Sequence, residues 1–282
     1  MILLFVSVCF FSINNILWSY YAAFNHPLLL ISRRAIFTSL FYVIVCYITL
    51  GGWVRTTPAE FLKILSICIL GFSGLVLLVK GFSKGNIFEY SIYSLLLTYF
   101  FTFYQPQLSS KLFFWISLII ISFGFLYFIW SQPSFSKSKG KQLNAHIFFL
   151  SAHICFGAAT ILQFQILKLN HYPSLQIATI QEIGILILAN LILHFLIKQN
   201  KKNIEKKLRT WHYFVFALPI CFAIFFGLEG LKKTSPFDAS LIGLYTPIVT
   251  VVFGSLFKVT LFDFKSFIGL VTMTIGVLLL YL

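Results

Sequence analysis

The sequence predicts an all-α integral membrane protein: ten transmembrane helices arranged as an inverted five-plus-five repeat. Three observations carry that expectation. Of 282 residues, 59% are hydrophobic and 10% charged, with a mean hydropathy of +0.94. A soluble domain carries about 25% charged residues and could not hide this much apolar side chain. The apolar residues fall into ten runs, each near the length of about 20 residues that a bilayer requires. The two halves of the chain also resemble each other, and copies with an odd number of spans must cross the membrane in opposite directions.

The spans lie at about 2–23, 27–49, 61–80, 87–104, 111–130, 145–168, 173–197, 211–231, 237–257 and 264–282. The first, within MILLFVSVCFFSINNILWSYYA, has neither a basic leader nor a small-residue cleavage site, so it is expected to stay as a span. Pro27 opens the second, and Gly51, Gly52 and Pro58 part it from the third. Gly85 precedes the fourth, and the fifth is the uncharged run LFFWISLIIISFGFLYFIW (112–130). Pro173 and Pro236 mark the starts of the seventh and ninth, as residues that punctuate helices. The polar stretch SQPSFSKSKGKQLN (131–144) links a first repeat, 1–130, to a second, 145–282. A second polar stretch, KQNKKNIEKKLRT (198–210), separates spans seven and eight.

The internal likeness is read by sliding KGFSKGNIFEYSIYSLLLT (80–98) onto KKTSPFDASLIGLYTPIVT (232–250), a shift of 152 residues. Lys80 then meets Lys232, Ser83 meets Ser235, Tyr93 meets Tyr245, Thr98 meets Thr250 and Gly124 meets Gly276. NHPLLLI (25–31) is answered by NHYPSLQI (170–177). Inverted repeats of this kind place a solute site near the midplane between the copies. Lys and Arg concentrate in the loops after spans three, five, seven and nine, which puts those loops in the cytoplasm and both termini outside. The net charge of +14 therefore predicts attraction to anionic membrane lipid, not binding of nucleic acid.

Polar groups inside the spans are the candidate functional residues, because each needs a partner or a purpose there. In HPLLLISRRAIFTSLFYVIVCYITL (26–50) two arginines are adjacent, and neighbours on a helix point about 100° apart. Steps of four from Arg34 reach Thr38, Tyr42 and Cys46, a polar stripe, so Arg34 is expected to face the interior. The same steps from Arg33 reach Phe37, Phe41 and Val45, so Arg33 is expected to snorkel to the headgroups. Span one places Asn14, Trp18, Tyr21 and Asn25 on one face, suited either to a solute cavity or to helix packing. Span six carries His153 and Thr160, and span seven carries Thr179, Glu182 and Asn190, with Glu182 needing a partner or a proton. Glu89, near Lys84, is either functional or an interfacial ion pair, and Glu229 is expected to pair with Lys232 and Lys233.

The five cysteines sit inside apolar segments and form no C-x-x-C pair, which makes them small buried side chains. No phosphate loop, H-E-x-x-H or nucleophile elbow occurs, and no cofactor or metal is implied. A membrane-embedded lipid-modifying enzyme is the alternative class, but its usual acid clusters are not found among only seven Asp and Glu.

Ten spans duplicated five plus five, with Pro27 seven residues before Arg34, resemble the EamA-type carriers of the drug/metabolite transporter superfamily. The segment 234–282 is similar to that family's last two spans, with Pro247 and glycines 254, 269 and 276 in the expected places. Gly85, Glu89 and Ser91 match the G-x-x-x-E-x-S run of its RarD-like branch. The sequence departs from the family at Leu108 and Thr260, where glutamates are usual, and at Leu95, where a proline is usual. The resemblance implies a secondary transporter in a cell inner membrane, multi-pass and not an enzyme. It would export or exchange an amino acid or similar small-molecule substrate by alternating access, with an ion or proton as a coupling partner and one chain sufficient. The expected site is lined by spans 1, 3, 4, 6, 8 and 9 and draws on Asn14, Trp18, Tyr21, Arg34, Glu89, Tyr93, His153, Glu182 and Tyr245. Arg34 would neutralise a substrate carboxylate or hold Glu182, and Trp18, Tyr93 and Tyr245 would supply aromatic walls.

Overall fold

The structure, a computed structural model, describes residues 1–22, 26–50, 53–104, 112–132, 142–168, 172–200, 208–256 and 263–281. Its helices are α1 (Ile2–Ala22), α2 (Pro27–Leu50), α3 (Pro58–Phe82), α4 (Ile87–Phe100, continued by a 3-10 turn, Phe101–Tyr104), α5 (Leu112–Ser131) and α6 (Gln142–Lys168). They continue as α7 (Ser174–Asn200), α8 (Thr210–Lys233), α9 (Pro236–Gly243), α10 (Thr246–Leu256) and α11 (Phe264–Tyr281). Among the described residues there is no strand. Among the described residues, nine helical stretches are long and apolar enough to cross a bilayer, α9 and α10 together making one. The tenth expected span is the shorter α4 with its 3-10 turn.

Three helix starts are fixed by reciprocal capping boxes: Thr57 with Glu60 for α3, Asn86 with Glu89 for α4, and Ser235 with Asp238 for α9. Each satisfies two backbone donors that apolar surroundings could not.

The expected ninth span is not continuous. Pro247 has no N–H to donate to the Gly243 carbonyl, and its ring crowds that carbonyl. The helix accordingly stops at Gly243, tightens through 3-10 bonds from Leu244 and Tyr245, and resumes at Thr246. In the first half Leu95 breaks nothing and α4 runs through it.

Exchange of the two halves maps the packing onto itself. α3 packs on α6 as α8 packs on α1, α4 meets α6 as α10 meets α1, and α2–α7 and α5–α11 are each their own counterpart. The register of this exchange corrects the expected one. The capping boxes of α4 and α9 lie 149 residues apart, Asn86 to Ser235. Gly81 corresponds at the same spacing to Gly230, and each is closely covered by a side chain of the facing helix, Phe149 of α6 and Leu4 of α1, which lie one turn apart in that register. Gly74 against Phe156 corresponds to Ala223, whose carbonyl accepts from Ser7 Oγ at 2.7 Å. Tyr93 therefore corresponds to Ile242 and not to Tyr245. A slip of three residues is close to one helical turn of about 3.6, so the apolar pattern looks the same in either register.

The lipid face shows in the exposed side chains: Leu40, Ile44, Tyr47 and Ile48 on α2, and Phe123 and Trp130 on α5. Opposite them on α2, the stripe Arg34, Thr38, Tyr42 and Cys46 is at most 1% exposed. At the α5–α11 contact the backbones nearly touch: a Cβ on Gly124 would sit 2.5 Å from Met273 N and 2.8 Å from the Gly269 carbonyl.

Candidate functional site

The buried stripe of α2 meets α7. Arg34 Nη2 donates to Glu182 Oε2 at 2.9 Å, with each side chain 1% exposed. Thr38 Oγ1 donates to the same carboxylate oxygen. Tyr42 OH donates to the Cys221 carbonyl and ties α2 to α8. Two charges with so little access to water are tolerable only as a pair, since either alone would be stranded. The pair is nevertheless incompletely used. Arg34 Nε and Glu182 Oε1 are buried without a hydrogen-bond partner, and so are Trp18 Nε1 and Asn14 Oδ1 on α1. The Trp18 ring lies 5.7 Å from the Arg34 guanidinium carbon and edge-on to Phe216 at 4.5 Å. Two donors and two acceptors thus stand unfilled in one neighbourhood.

They border a cavity of about 340 Å³ walled by α1, α3, α4, α6, α8, α9 and α10, with Arg34 from α2 and Gln181, Glu182 and Ile185 from α7. These include all six spans expected to line it. The wall obeys the exchange of halves at the 149-residue spacing: Leu4 answers His153, Phe11 answers Thr160, Asn14 answers Gln163, Leu75 answers Ile224 and Ser91 answers Ser240. Most of the wall is apolar, as in small-molecule sites generally, with a few polar groups to fix orientation.

Of the nine expected site residues, Asn14, Trp18, Arg34, His153 and Glu182 line the cavity, and four do not. The Tyr21 ring packs against His212 and Phe216 at the start of α8. Glu89 is fully buried as a cap, its Oε2 accepting from Asn86 N at 3.1 Å. It makes no ion pair with Lys84, whose Nζ instead sits 5.0 Å over the Phe148 ring. Tyr93 OH bonds His146 Nδ1 at 2.9 Å, and Tyr245 OH bonds Thr274 Oγ1 at 3.4 Å. The two tyrosines do not face each other across the cavity, for the reason of register given above. In their place α4 presents Tyr90, Ser91, Ser94 and Leu97, and α9–α10 present Ala239, Ser240, Gly243 and Thr246. Gln163 and Gln181, joined Nε2 to Oε1 at 2.8 Å, add to the polar wall, Gln163 standing where the repeat in its true register puts the counterpart of Asn14.

Two further expectations change. Glu229 does not pair with Lys232 or Lys233; among the described residues Arg34–Glu182 is the one ion pair. Arg33 is half-buried with its Nε enclosed, and its stripe packs on α8, where Phe37 meets Phe214 and Phe41 meets Phe222. Asn25, Leu108 and Thr260 lie outside the described residues. Among the described residues no group of three His, Cys, Asp or Glu could hold a metal ion.

One end of the bundle is latched across the two halves. Gln176 donates Nε2 to the Val54 carbonyl at 2.9 Å and accepts from Val54 N at 3.1 Å. Tyr172 OH bonds Glu60 Oε2 at 2.8 Å and the Arg55 carbonyl at 3.0 Å. Burial, reinforced by the Glu60 carboxylate, pushes the Tyr172 phenol up to about 12, so it remains a donor at any physiological pH.

Residues 143–282 match the EamA-like transporter family. A comparison with curated proteins finds no match. Twenty-eight solved chains match the structure. One, a crystal structure of a protein 11% identical, aligns with a TM-score of 0.68 over 97% of this chain and 96% of that chain, a likeness of fold.

Proposed function

We propose that this multi-pass membrane protein, whose residues 143–282 match the EamA-like transporter family, carries an amino-acid-like metabolite by alternating access, as an exporter or exchanger. The observation that supports the reading is the half-used Arg34–Glu182 pair beside the cavity. Arg34 Nε and Trp18 Nε1 are unfilled donors suited to a carboxylate, and Glu182 Oε1 and Asn14 Oδ1 are unfilled acceptors suited to an ammonium group. The apolar remainder of a cavity of about 340 Å³ suits a side chain of modest size. Removing a group from water is favourable only if its bonds are replaced, and these four atoms offer replacements for both ends of a zwitterion.

The inner membrane is the proposed location, and the run Gly85, Glu89, Ser91 favours the RarD-like branch. The test is counterflow of a radiolabelled amino-acid mixture in proteoliposomes. Saturable exchange that Arg34→Gln abolishes supports the reading. Exchange identical in Arg34→Gln and the parent would remove the pair from the site, and consumption of lipid without solute flux would favour the lipid-modifying alternative.

A further inference from the structure

The two ends of the exchange axis are chemically unequal, and the inequality is concentrated at His153. Its Nδ1 lies 2.9 Å from the Phe149 carbonyl, one turn back on α6. A carbonyl only accepts, so Nδ1 carries the hydrogen and Nε2 is left as an acceptor. Nε2 meets Ser94 Oγ of α4 at 3.3 Å. The Tyr90 ring lies 4.3 Å from the imidazole, centroid to centroid. All three line the cavity, and His153 is 4% exposed.

We infer that His153 is a proton-binding residue of the cavity, with Ser94 and Tyr90 as its hosts. The surroundings serve both of its states. When it is neutral, the Ser94 hydroxyl donates to Nε2. When Nε2 takes a proton, that hydroxyl rotates and accepts from it, while the Phe149 carbonyl keeps Nδ1–H. Both N–H groups of the imidazolium are then satisfied, and the Tyr90 face stands beside the cation. No heavy atom has to move for the change.

The other half has no such site. The residues corresponding to His153, Ser94 and Tyr90 at the 149-residue spacing are Leu4, Gly243 and Ala239, which also line the cavity and can hold no proton. The titratable groups that face His153 are Tyr90 and Tyr93 on α4, and the Arg34–Glu182 pair on the same cavity wall. Among the described residues no carboxylate oxygen lies within 4.0 Å of it. α8, α9 and α10 present no titratable side chain to the cavity. A carrier without a nucleotide-binding motif draws uphill work from an ion gradient or from exchange, and a proton site in one half alone can couple a proton to the cycle. That coupling role rests on the transport reading above; the proton site itself does not.

The test is therefore made without transport. Full-length protein labelled with ¹⁵N-histidine is placed in neutral-lipid nanodiscs and titrated from about pH 3 to 8, a range wide enough for exposed and buried imidazoles alike. His153→Gln is expected to delete one resonance pair, with hydrogen on Nδ1 at high pH and Nε2 gaining a proton as pH falls. Ser94→Ala is expected to displace the midpoint of that pair and leave the other five histidines unmoved; it also assigns the pair if His153→Gln does not fold. A His153 signal that stays in one neutral form throughout, or one with its hydrogen on Nε2 at high pH, overturns the proposal. Loss of flux in Arg34→Gln with an intact His153 titration would separate the two readings.

Discussion

At the residue scale, Arg33 and Arg34 show how one position along a helix decides the task of a charge. Arg34 shares a fully buried stripe with Thr38, while Arg33 lies on the half-buried flank facing α8. Breaking a buried ion pair by removing one partner costs about 3–5 kcal/mol, because the other charge is stranded. Arg34→Gln and Glu182→Gln are therefore each expected to lower thermal stability in detergent by roughly that amount and to stop flux. Arg33→Gln should change either by little. Arg34→Glu combined with Glu182→Arg should recover part of the stability lost in the single swaps. Equal effects of the two arginine variants on unfolding temperature would contradict separate roles.

At the element scale, glycine and proline act in opposite ways in the two halves. A methyl group on Gly124 would meet backbone atoms of Met273 and Gly269, which cannot turn aside. Gly124→Ala must spread α5 from α11 and is expected to destabilise by about 1–3 kcal/mol, measured as a lower unfolding temperature. A methyl group on Gly243 would meet nothing within 4 Å and would project into the cavity region. Gly243→Ala is expected to leave unfolding unchanged while weakening binding of the larger amino acids in counterflow. Pro247→Ala restores an N–H opposite the Gly243 carbonyl and should join α9 to α10. The expected result is a stability equal to or above the parent with slower exchange, since a break near the midplane is lost. Faster exchange in Pro247→Ala would show that the break is not used.

At the scale of the whole molecule, the latch of Gln176 and Tyr172 onto residues 54–60 and the contact of Tyr21 with His212 lie at opposite ends of the bundle. From the charge bias of the loops, the second end is expected in the cytoplasm. The loop positions Ser136 and Asn203 lie outside the described residues, so the test uses Thr56 and Thr210, both exposed. A cysteine at Thr56 should react with an impermeant maleimide in intact cells, and one at Thr210 only after permeabilisation. The reverse pattern would invert the orientation and leave the fold as it is.

The sequence alone determined the membrane class, the near-positions of the spans, and the inward face of Arg34. These follow from composition, from apolar run length and from four-residue periodicity, all properties of a single segment. It also pointed to Glu182 as a group in need of a partner, because a carboxylate inside a span is costly wherever it sits. Only the tertiary structure decided that Arg34 is that partner, that Tyr90 and Ser94 face the cavity while Tyr93 turns to His146, and that the repeat runs at 149 residues rather than 152. The break before Thr246 likewise became visible only in the structure, although Pro247 stood in the sequence. The physical reason is common to all of these. A helix repeats nearly every three and four residues, so its own pattern tolerates a slip of about one turn. The choice between registers is made by which side chains the neighbouring helices leave room for.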